Sequence, residues 1–470
     1  MNVVRVGLVT LGCDKNTVDS ERYLAELLAA GAEHTDDLYD ADVIVVNTCG
    51  FIDAAKKESI DALVTAGAYK TDGRCRAVVA VGCMVERHRA ELAAELPEVD
   101  AFLGTTDADR LLPVLQERGI LSDALVRHPG VRVYTGDLPH VRYLKVSEGC
   151  DHGCAFCAIP LMRGRHRSFA ADDVVREAQL LEAQGACEIN LVAQDLAHYG
   201  RDRRDGVGLA ELLQRLVDET AVPWYRLLYL YSFGLTPAVL DVMARSPRIV
   251  PYLDMPIQHA SDRVLERMRR PERRHTIAAR VARVRERVPD IAIRTTCIVG
   301  FPGETERDVE ELFAFLEEMR FDRVGAFAYS EQDGTRAAAY ADDVPEAVKL
   351  DRLDRLTQLQ RDISAERLER FVGRTVPVLV DRAPADGAPA QGRTRWQADD
   401  VDGVTWLAAG AIGASVRPGA IVDAVLDDVV DDEDYRARVV SVRRPAPPQS
   451  DGARWLPVLA GPSGGWSFGR

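Results

Sequence analysis

Long apolar runs are missing from this 470-residue chain. None approaches the ~18 residues that a membrane-spanning helix needs, which excludes a helical membrane protein. The amino terminus, Met1-Asn2-Val3-Val4-Arg5-Val6-Gly7, lacks the basic flank, long apolar stretch and cleavage site of a signal peptide. It reads as a strand that begins at once, so a cytoplasmic protein is expected. An excess of positive charge is also missing. The formal net charge is −15, whereas a protein that grips nucleic acid through phosphates usually shows a basic face. A local basic patch is compatible with that total, but the balance favours a basic partner or a small molecule. No fixed-period repeat is present, as a solenoid would require.

What is present suffices for about three domains at the usual ~150 residues each. The chain is 47% hydrophobic and 28% charged, a balance that builds ordinary buried cores. Its nine cysteines, in a reducing compartment, argue for metal binding or buried thiols rather than disulfides.

The pattern along the chain is α/β. Strands over 3–10, 43–46 and 77–81 alternate with helices over 18–30, 54–68 and 86–96, which predicts an open parallel α/β domain over 1–120. Residues 121–140, with two prolines and two glycines, read as a linker. A second block, 141–371, carries strands over 141–146, 188–192, 225–229, 252–257, 291–299 and 323–329, with helices between them. A long helix over 346–371 closes it. Six strand–helix units predict a partial TIM-like (βα)6 barrel. From 372 to 442 short strand-like runs over 375–380, 404–407, 420–426 and 436–442 are cut by Gly, Pro and Asp, the pattern of a small all-β barrel. Residues 443–470, rich in Pro, Gly and Ser, read as a disordered tail.

The cysteines carry the chemistry. Cys150, Cys154 and Cys157 form a CxxxCxxC run directly after the first strand of the second block. Three thiols on one loop grip one metal centre but fall one ligand short of the four that iron–sulfur and structural zinc sites normally take. The open position points to an enzyme. His152 offers itself as a fourth, zinc-type ligand, although it sits between two of the cysteines in a tight loop. A second trio is dispersed: Cys13, Cys49 and Cys83 each fall just beyond the carboxyl end of a predicted strand. In a parallel sheet those ends share one edge, where ligands bind. The three either converge there or are separate buried core thiols. Gly12, Gly50 and Gly82 beside them suit tight turns or close backbone approach to a ligand. Cys75, Cys187 and Cys297 read as packing residues.

These motifs resemble the radical S-adenosylmethionine (SAM) enzymes, through CxxxCxxC with Phe156 before the last cysteine. The dispersed trio in front and the small β-barrel behind resemble one branch, the methylthiotransferases, whose third part is a TRAM domain. The likeness runs from Val6 to about Val440. Its segments include Leu11-Gly12-Cys13-Asp14-Lys15-Asn16, Asn47-Thr48-Cys49-Gly50-Phe51-Ile52, Tyr143-Leu144-Lys145-Val146-Ser147-Glu148-Gly149-Cys150, Tyr252-Leu253-Asp254-Met255-Pro256-Ile257-Gln258-His259 and Gly300-Phe301-Pro302-Gly303-Glu304. They are most similar to members that modify an aspartate of small-subunit ribosomal protein twelve. Asp14 departs from the proline of many members.

The resemblance implies two [4Fe–4S] clusters. Cys150, Cys154 and Cys157 would hold the one that binds SAM and yields a 5′-deoxyadenosyl radical. Cys13, Cys49 and Cys83 would hold the one that carries the sulfur to be transferred, SAM also serving as methyl donor. Phe156 belongs to the same cofactor site. Gln194 and Asp195 either contact SAM or cap the next helix, and Gln258 and His259 share that ambiguity. Gly300, Gly303 and Glu304 either let backbone approach the cofactor or make a sharp turn. Arg163, Arg165 and Arg167 either face a substrate carboxylate or form a solvated loop.

Two enzyme readings share this chemistry and differ in target, an aspartate of the ribosomal protein or an adenosine of transfer RNA. The candidate TRAM region over 372–440 carries seven arginines, no lysine and twelve acidic residues, a formal charge of −5. That sign suits a basic protein better than phosphates. The expected partners are therefore the basic ribosomal protein, an electron donor such as a flavodoxin or ferredoxin, and a sulfur source, with no membrane and no nucleic acid as primary target. A third reading, from a different class, is a non-catalytic iron–sulfur electron carrier or assembly protein.

Overall fold

The computed structural model describes residues 3–122, 132–341, 343–385, 387–408 and 416–447. Residues 123–131 of the expected linker and 448–470 of the expected tail lie outside them. The architecture is α/β: two parallel sheets followed by a closed barrel.

The first sheet holds β1 (Arg5–Thr10), β2 (Glu33–His34), β3 (Val43–Thr48), β4 (Ala77–Gly82) and β5 (Ala101–Leu103), in the order β2-β1-β3-β4-β5. All its pairings are parallel. β3 and β4 are buried along their whole length. Their near-continuous Val, Ile and Ala runs are what a strand covered by helices on both faces requires. β2 and β5 escape the sequence pattern because two or three residues are too few to show periodicity. The chain reverses direction across the sheet between β1 and β3, which opens a crevice beyond their carboxyl ends.

The second sheet runs in simple chain order. After β6 (Val141–Lys145), the short hairpin β7 (Ser147–Glu148) and β8 (Arg167–Ser168) stands apart. β9 (Glu188–Val192), β10 (Trp224–Leu227), β11 (Ile249–Asp254), β12 (Ala292–Val299) and β13 (Arg323–Ala328) complete an open six-stranded parallel sheet. β11 starts and stops earlier than the sequence suggests. Pro251 lies within it, and the register with β10 slips between Tyr225 and Leu227, which accommodates the missing amide hydrogen. β10 ends early because Tyr229 turns to a left-handed φ of 60°. One face of the sheet packs against the helices through Leu144, Ile189, Leu191, Tyr225, Leu253 and Ile293.

The last barrel comprises β14 (Thr375–Arg382), β15 (Ala390–Thr394), β16 (Thr405–Ala408), β17 (Ile421–Val430) and β18 (Asp434–Arg444), closed by β14 pairing with β17. β15, Ala-Gln-Gly-Arg-Thr, has no apolar alternation and is absent from the sequence reading. β18 continues to Arg444, beyond the expected start of the tail. The barrel's core merges with Val141, Val192, Trp224, Val250, Tyr252 and Ala292 on the other face of the second sheet. A buried polar seam joins the two: Arg226 Nε donates to Glu188 Oε1 at 2.6 Å, and Arg393 bridges Glu188 and Asp381. The interior of the open sheet is thus plugged from one side, leaving the carboxyl ends of its strands as the accessible end.

Candidate active site

The crevice of the first sheet receives the dispersed trio. Cys13 caps the helix Asp14–Ala29, Cys49 follows β3 directly, and Cys83 opens the helix Cys83–Glu95 directly after β4. Side chains of the first two turns lock together, and Thr48 Oγ1 ties them to β4 by donating to the Val81 carbonyl at 2.7 Å. Asn47 Nδ2 donates to the Asn16 carbonyl at 2.9 Å and to Ser20 Oγ at 3.0 Å. Asn16 Nδ2 donates to the carbonyls of Leu11 and Thr48, and Ser59 Oγ bonds both the N–H and the carbonyl of Cys49. Gly12, at φ +94°, is needed for the approach itself: a Cβ there would sit 2.9 Å from the Cys49 sulfur. Gly82, at φ +101°, likewise leaves room for the Thr48 carbonyl, 2.8 Å from where its Cβ would be. These glycines make space for the protein's own atoms. The structure therefore brings Cys13, Cys49 and Cys83 together. Burial pushes the Cys83 thiol up to about 12; Arg163 opposes this, and the sulfurs of Cys13 and Cys49 add to it. Burial also raises Cys49, with Cys13 adding to the effect.

The CxxxCxxC loop leaves β7 and enters the helix Ile159–Arg163. Ala155 ties it down, donating to the Met268 carbonyl and accepting from Ala337 N–H, at 2.9 and 2.8 Å. Phe156 packs with Phe301 and Tyr329 in the cluster beneath the loop. Burial and the neighbouring sulfurs push Cys150 and Cys157 each up to about 12, against backbone N–H groups that favour the thiolate. Arg270 Nη1 lies 3.7 Å from the Cys154 sulfur, its guanidinium 3.8 Å above the Tyr231 ring. Glu272 accepts from Arg270 and from the Tyr231 hydroxyl.

Two features join the trios. Cys83 packs against Ala158 and Met162, just after Cys157. Arg163, buried, donates from Nε to the Cys83 sulfur at 3.1 Å and pairs with Asp19 at 2.6 Å and Glu148 at 3.2 Å, while also bonding Asn16 Oδ1. Arg163 is thus neither a solvated loop residue nor a group left free for substrate; Arg165 and Arg167 are exposed.

The softer candidates separate by what their polar atoms already do. Asp195 Oδ1 accepts from Ala197 N–H at 3.0 Å, the helix-cap arrangement, and from Tyr231 N–H; Oδ2 meets His152 Nε2 at 2.7 Å. His152 meets Asp195 and stacks 4.1 Å from the Tyr231 ring; together with His198, His152 and Asp195 place metal-type ligand atoms within 4.8 Å of one another. Glu304 Oε1 accepts from Gly300 N–H at 2.9 Å and from Arg352 at 3.0 Å, and Gly303 N–H is taken by Asp343, while Glu304 Oε2 has no hydrogen-bond partner among the described residues and lies 3.4 Å from His259 Nε2. His259 Nδ1 accepts from Ser261 N–H. The two glutamines remain available. Gln194 donates to Glu148 at 2.8 Å but its Oε1 has no partner among the described residues. Gln258, at a left-handed φ of 69°, spends only its backbone among the described residues, on Thr296 and Ile298. Arg270, Tyr229 and Tyr231 carry no motif signal in the sequence, and Lys15, although it sits in the motif around Cys13, has no role marked there; only burial exposes them.

The donor chemistry fits the groups that the sequence implies. Each trio gathers three sulfurs with no fourth cysteine, since Cys75, Cys187 and Cys297 pack in separate cores. Three-thiolate sets suit [4Fe–4S] clusters that keep one iron open.

Residues 5–104 match the family described as "Uncharacterized protein family UPF0004", and 144–316 match the radical SAM superfamily. The ribosomal protein uS12 methylthiotransferase RimO of Anaeromyxobacter sp. (strain Fw109-5) is 46% identical over 463 residues, 96% of this chain and 97% of that protein. The RimO of Desulforudis audaxviator (strain MP104C) is 43% identical over 446 residues, 93% of this chain and 97% of that protein. Among solved structures, the radical SAM methyltransferase TsrM of Kitasatospora setae shares the fold at a TM-score of 0.52 and 14% identity, over 69% of this chain and 73% of that one. The chain belongs to the RimO family of radical SAM methylthiotransferases.

Proposed function

We propose that this enzyme adds a methylthio group to the β-carbon of an aspartate in ribosomal protein uS12. The observation that carries the reading is the contact between the two cysteine trios, with Arg163 spanning them. When bound, a cluster at Cys150, Cys154 and Cys157 would supply the electron that splits SAM into a radical, and one at Cys13, Cys49 and Cys83 the sulfur to be transferred.

The chain's own residues arrange the rest. Arg163 and the Asn16–Asn47 network fix the sulfur-side turns against the CxxxCxxC helix, so both centres open on one end of the sheet. Ala155, His152 and Arg270 hold the radical-side loop from three directions. Gln194 and Gln258 offer a free carbonyl and a free carboxamide beside that loop for the polar groups of SAM. The plug formed by the last barrel closes the interior from below and limits water there. A basic protein suits the acidic turn between β17 and β18, where Asp431, Asp432 and Glu433 are exposed. The reading further requires an electron donor such as a flavodoxin or ferredoxin, and a source of sulfur.

The test is to incubate reduced, cluster-loaded enzyme with SAM, sulfide, purified uS12 and transfer RNA. Mass spectrometry should find one methylthio group on an aspartate of uS12. A group found only on transfer RNA would refute the assignment.

A further inference from the structure

The chain has six lysines. Lys56, Lys70, Lys145 and Lys349 pair with Asp53, Asp100, Asp19 and Glu148, and Glu346. Lys57 is exposed. Lys15 is only 7% exposed, yet among the described residues no carboxylate stands at ion-pair distance and no acceptor takes its hydrogens. Its Nζ lies 3.1 Å from the centre of the Tyr229 ring. An aromatic face stabilises an ammonium on one side only. The three N–H donors still call for an acceptor, because a buried cation that has lost its water needs pairing.

The surroundings are built to keep it so. Lys15 lies two residues beyond Cys13, in the first turn of its helix, and reaches the carboxyl end of β10. Tyr229 holds its ring there from a left-handed backbone, with its hydroxyl donating to Asp14 Oδ2 at 3.1 Å. The Asp14 carboxylate is thereby engaged with the phenol and not with Lys15. Asp254 accepts from Tyr229 N–H and faces Arg294 at 3.6 Å. Among the described residues, the other buried cations beside the two cysteine loops are engaged: Arg163 and Lys145 by Asp19 and Glu148, Arg270 by Glu272 and the Pro256 carbonyl. Asp254 feels the charge of Lys15 without reaching ion-pair distance, so one buried ammonium stands without a hydrogen-bonded partner among the described residues where the sulfur-side trio meets the open sheet.

We infer that Lys15 receives the carboxylate of the side chain to be modified, and so selects an acidic residue. The inference rests on the function proposed above. An ammonium can hold a carboxylate by a charge-assisted bond that an amide side chain cannot replace. Lys15 acts as a binding residue, placing the acidic side chain within reach of both trios.

The experiment is a cycle of binding measurements on cluster-loaded enzyme, wild type and Lys15→Met. The probes are uS12 and uS12 with its modified aspartate, located by mass spectrometry of the wild-type reaction, changed to Asn. Lys15→Met should weaken binding of uS12 on the order of 10- to 100-fold, the range of a hydrogen bond to a charged group. Wild type and Lys15→Met should bind the Asn protein alike, and Lys15→Arg should keep most of the affinity. Iron content and the KM for SAM should not move. Independent, additive losses would overturn the inference. So would a raised KM for SAM with unchanged uS12 affinity, which would give Lys15 to the cofactor. Should Lys15→Met fail to fold, the wild type must still lose 10- to 100-fold on the Asn protein, or the inference fails. A wild type that neither binds nor modifies uS12 overturns the proposed function itself; one that modifies uS12 while the cycle is additive overturns Lys15 alone.

Discussion

Arg163 and Cys83 meet across the two halves of the site, guanidinium Nε 3.1 Å from sulfur. The arginine comes from the helix that follows Cys157, and the cysteine from the end of β4. Each half of the chemistry thereby depends on the other for its position.

Arg163→Met should destabilise the protein by about 3–5 kcal/mol, the usual cost of breaking a buried ion pair. It leaves Asp19 and Glu148, both held below the usual carboxylate range by Lys145 and Arg163 against burial, with Lys145 as their remaining cation. Urea unfolding of the metal-free chain reads this directly. A loss under about 1 kcal/mol, the level of a surface pair, would deny Arg163 its bridging role.

Gly12→Ala should empty the sulfur-side trio while sparing the other. The new Cβ would fall 2.8 Å from that of Cys49, at a backbone φ of +94° that side chains avoid. The expected result is loss of about half the bound iron, one cluster of two, with SAM still cleaved. Full iron in the variant would contradict the packing argument.

Arg270→Met should lower the reduction potential of the radical-side cluster. A cation 3.7 Å from the Cys154 sulfur favours the added electron, so its removal disfavours reduction. About 60 mV corresponds to one tenfold change for a one-electron couple, a shift that an EPR-monitored redox titration resolves. An unchanged potential would reduce Arg270 to a packing role.

Asp399 links the last barrel to the second sheet, accepting from Tyr143 at 2.6 Å and Asn190 at 2.8 Å. Burial raises its carboxyl to about 6, against the pull of Arg393. Between pH 3.8 and about 6 the folded state keeps a proton that the unfolded state has lost, so this residue's contribution falls as pH rises through that window. The full span is worth up to about 3 kcal/mol. Compared with wild type, Asp399→Asn should gain stability at pH 7 relative to pH 4; equal pH profiles would remove the burial argument.

The sequence made the strand order legible where strands are long and buried, as in β3 and β4, because covered parallel strands are continuous apolar runs. It did not reveal β15, whose polar residues close a barrel edge, or the early end of β11, which proline and register decide. At the site, regular spacing marks Cys150, Cys154 and Cys157 in one glance. Cys13, Cys49 and Cys83 show only as residues after strands, and their convergence depends on sheet order. Asp195 and Glu304 looked like cofactor contacts because they sit past strand ends. Asp195 Oδ1 and Glu304 Oε1 also tie turns, while Glu304 Oε2 keeps no hydrogen-bond partner among the described residues, details visible only in three dimensions. Lys15 stands in the motif around Cys13, but its burial is invisible to pattern, because nothing local says that a lysine is buried.

The central claim is that two separate three-cysteine centres share one face of the molecule. It is tested most directly by iron and sulfide analysis of the reconstituted wild type beside the Cys13→Ala/Cys49→Ala/Cys83→Ala variant. The variant should retain about half the iron and sulfide, one cluster of two, and should still cleave SAM while leaving uS12 unmodified. Iron and sulfide equal to wild type, or a variant that still methylthiolates uS12, would contradict it.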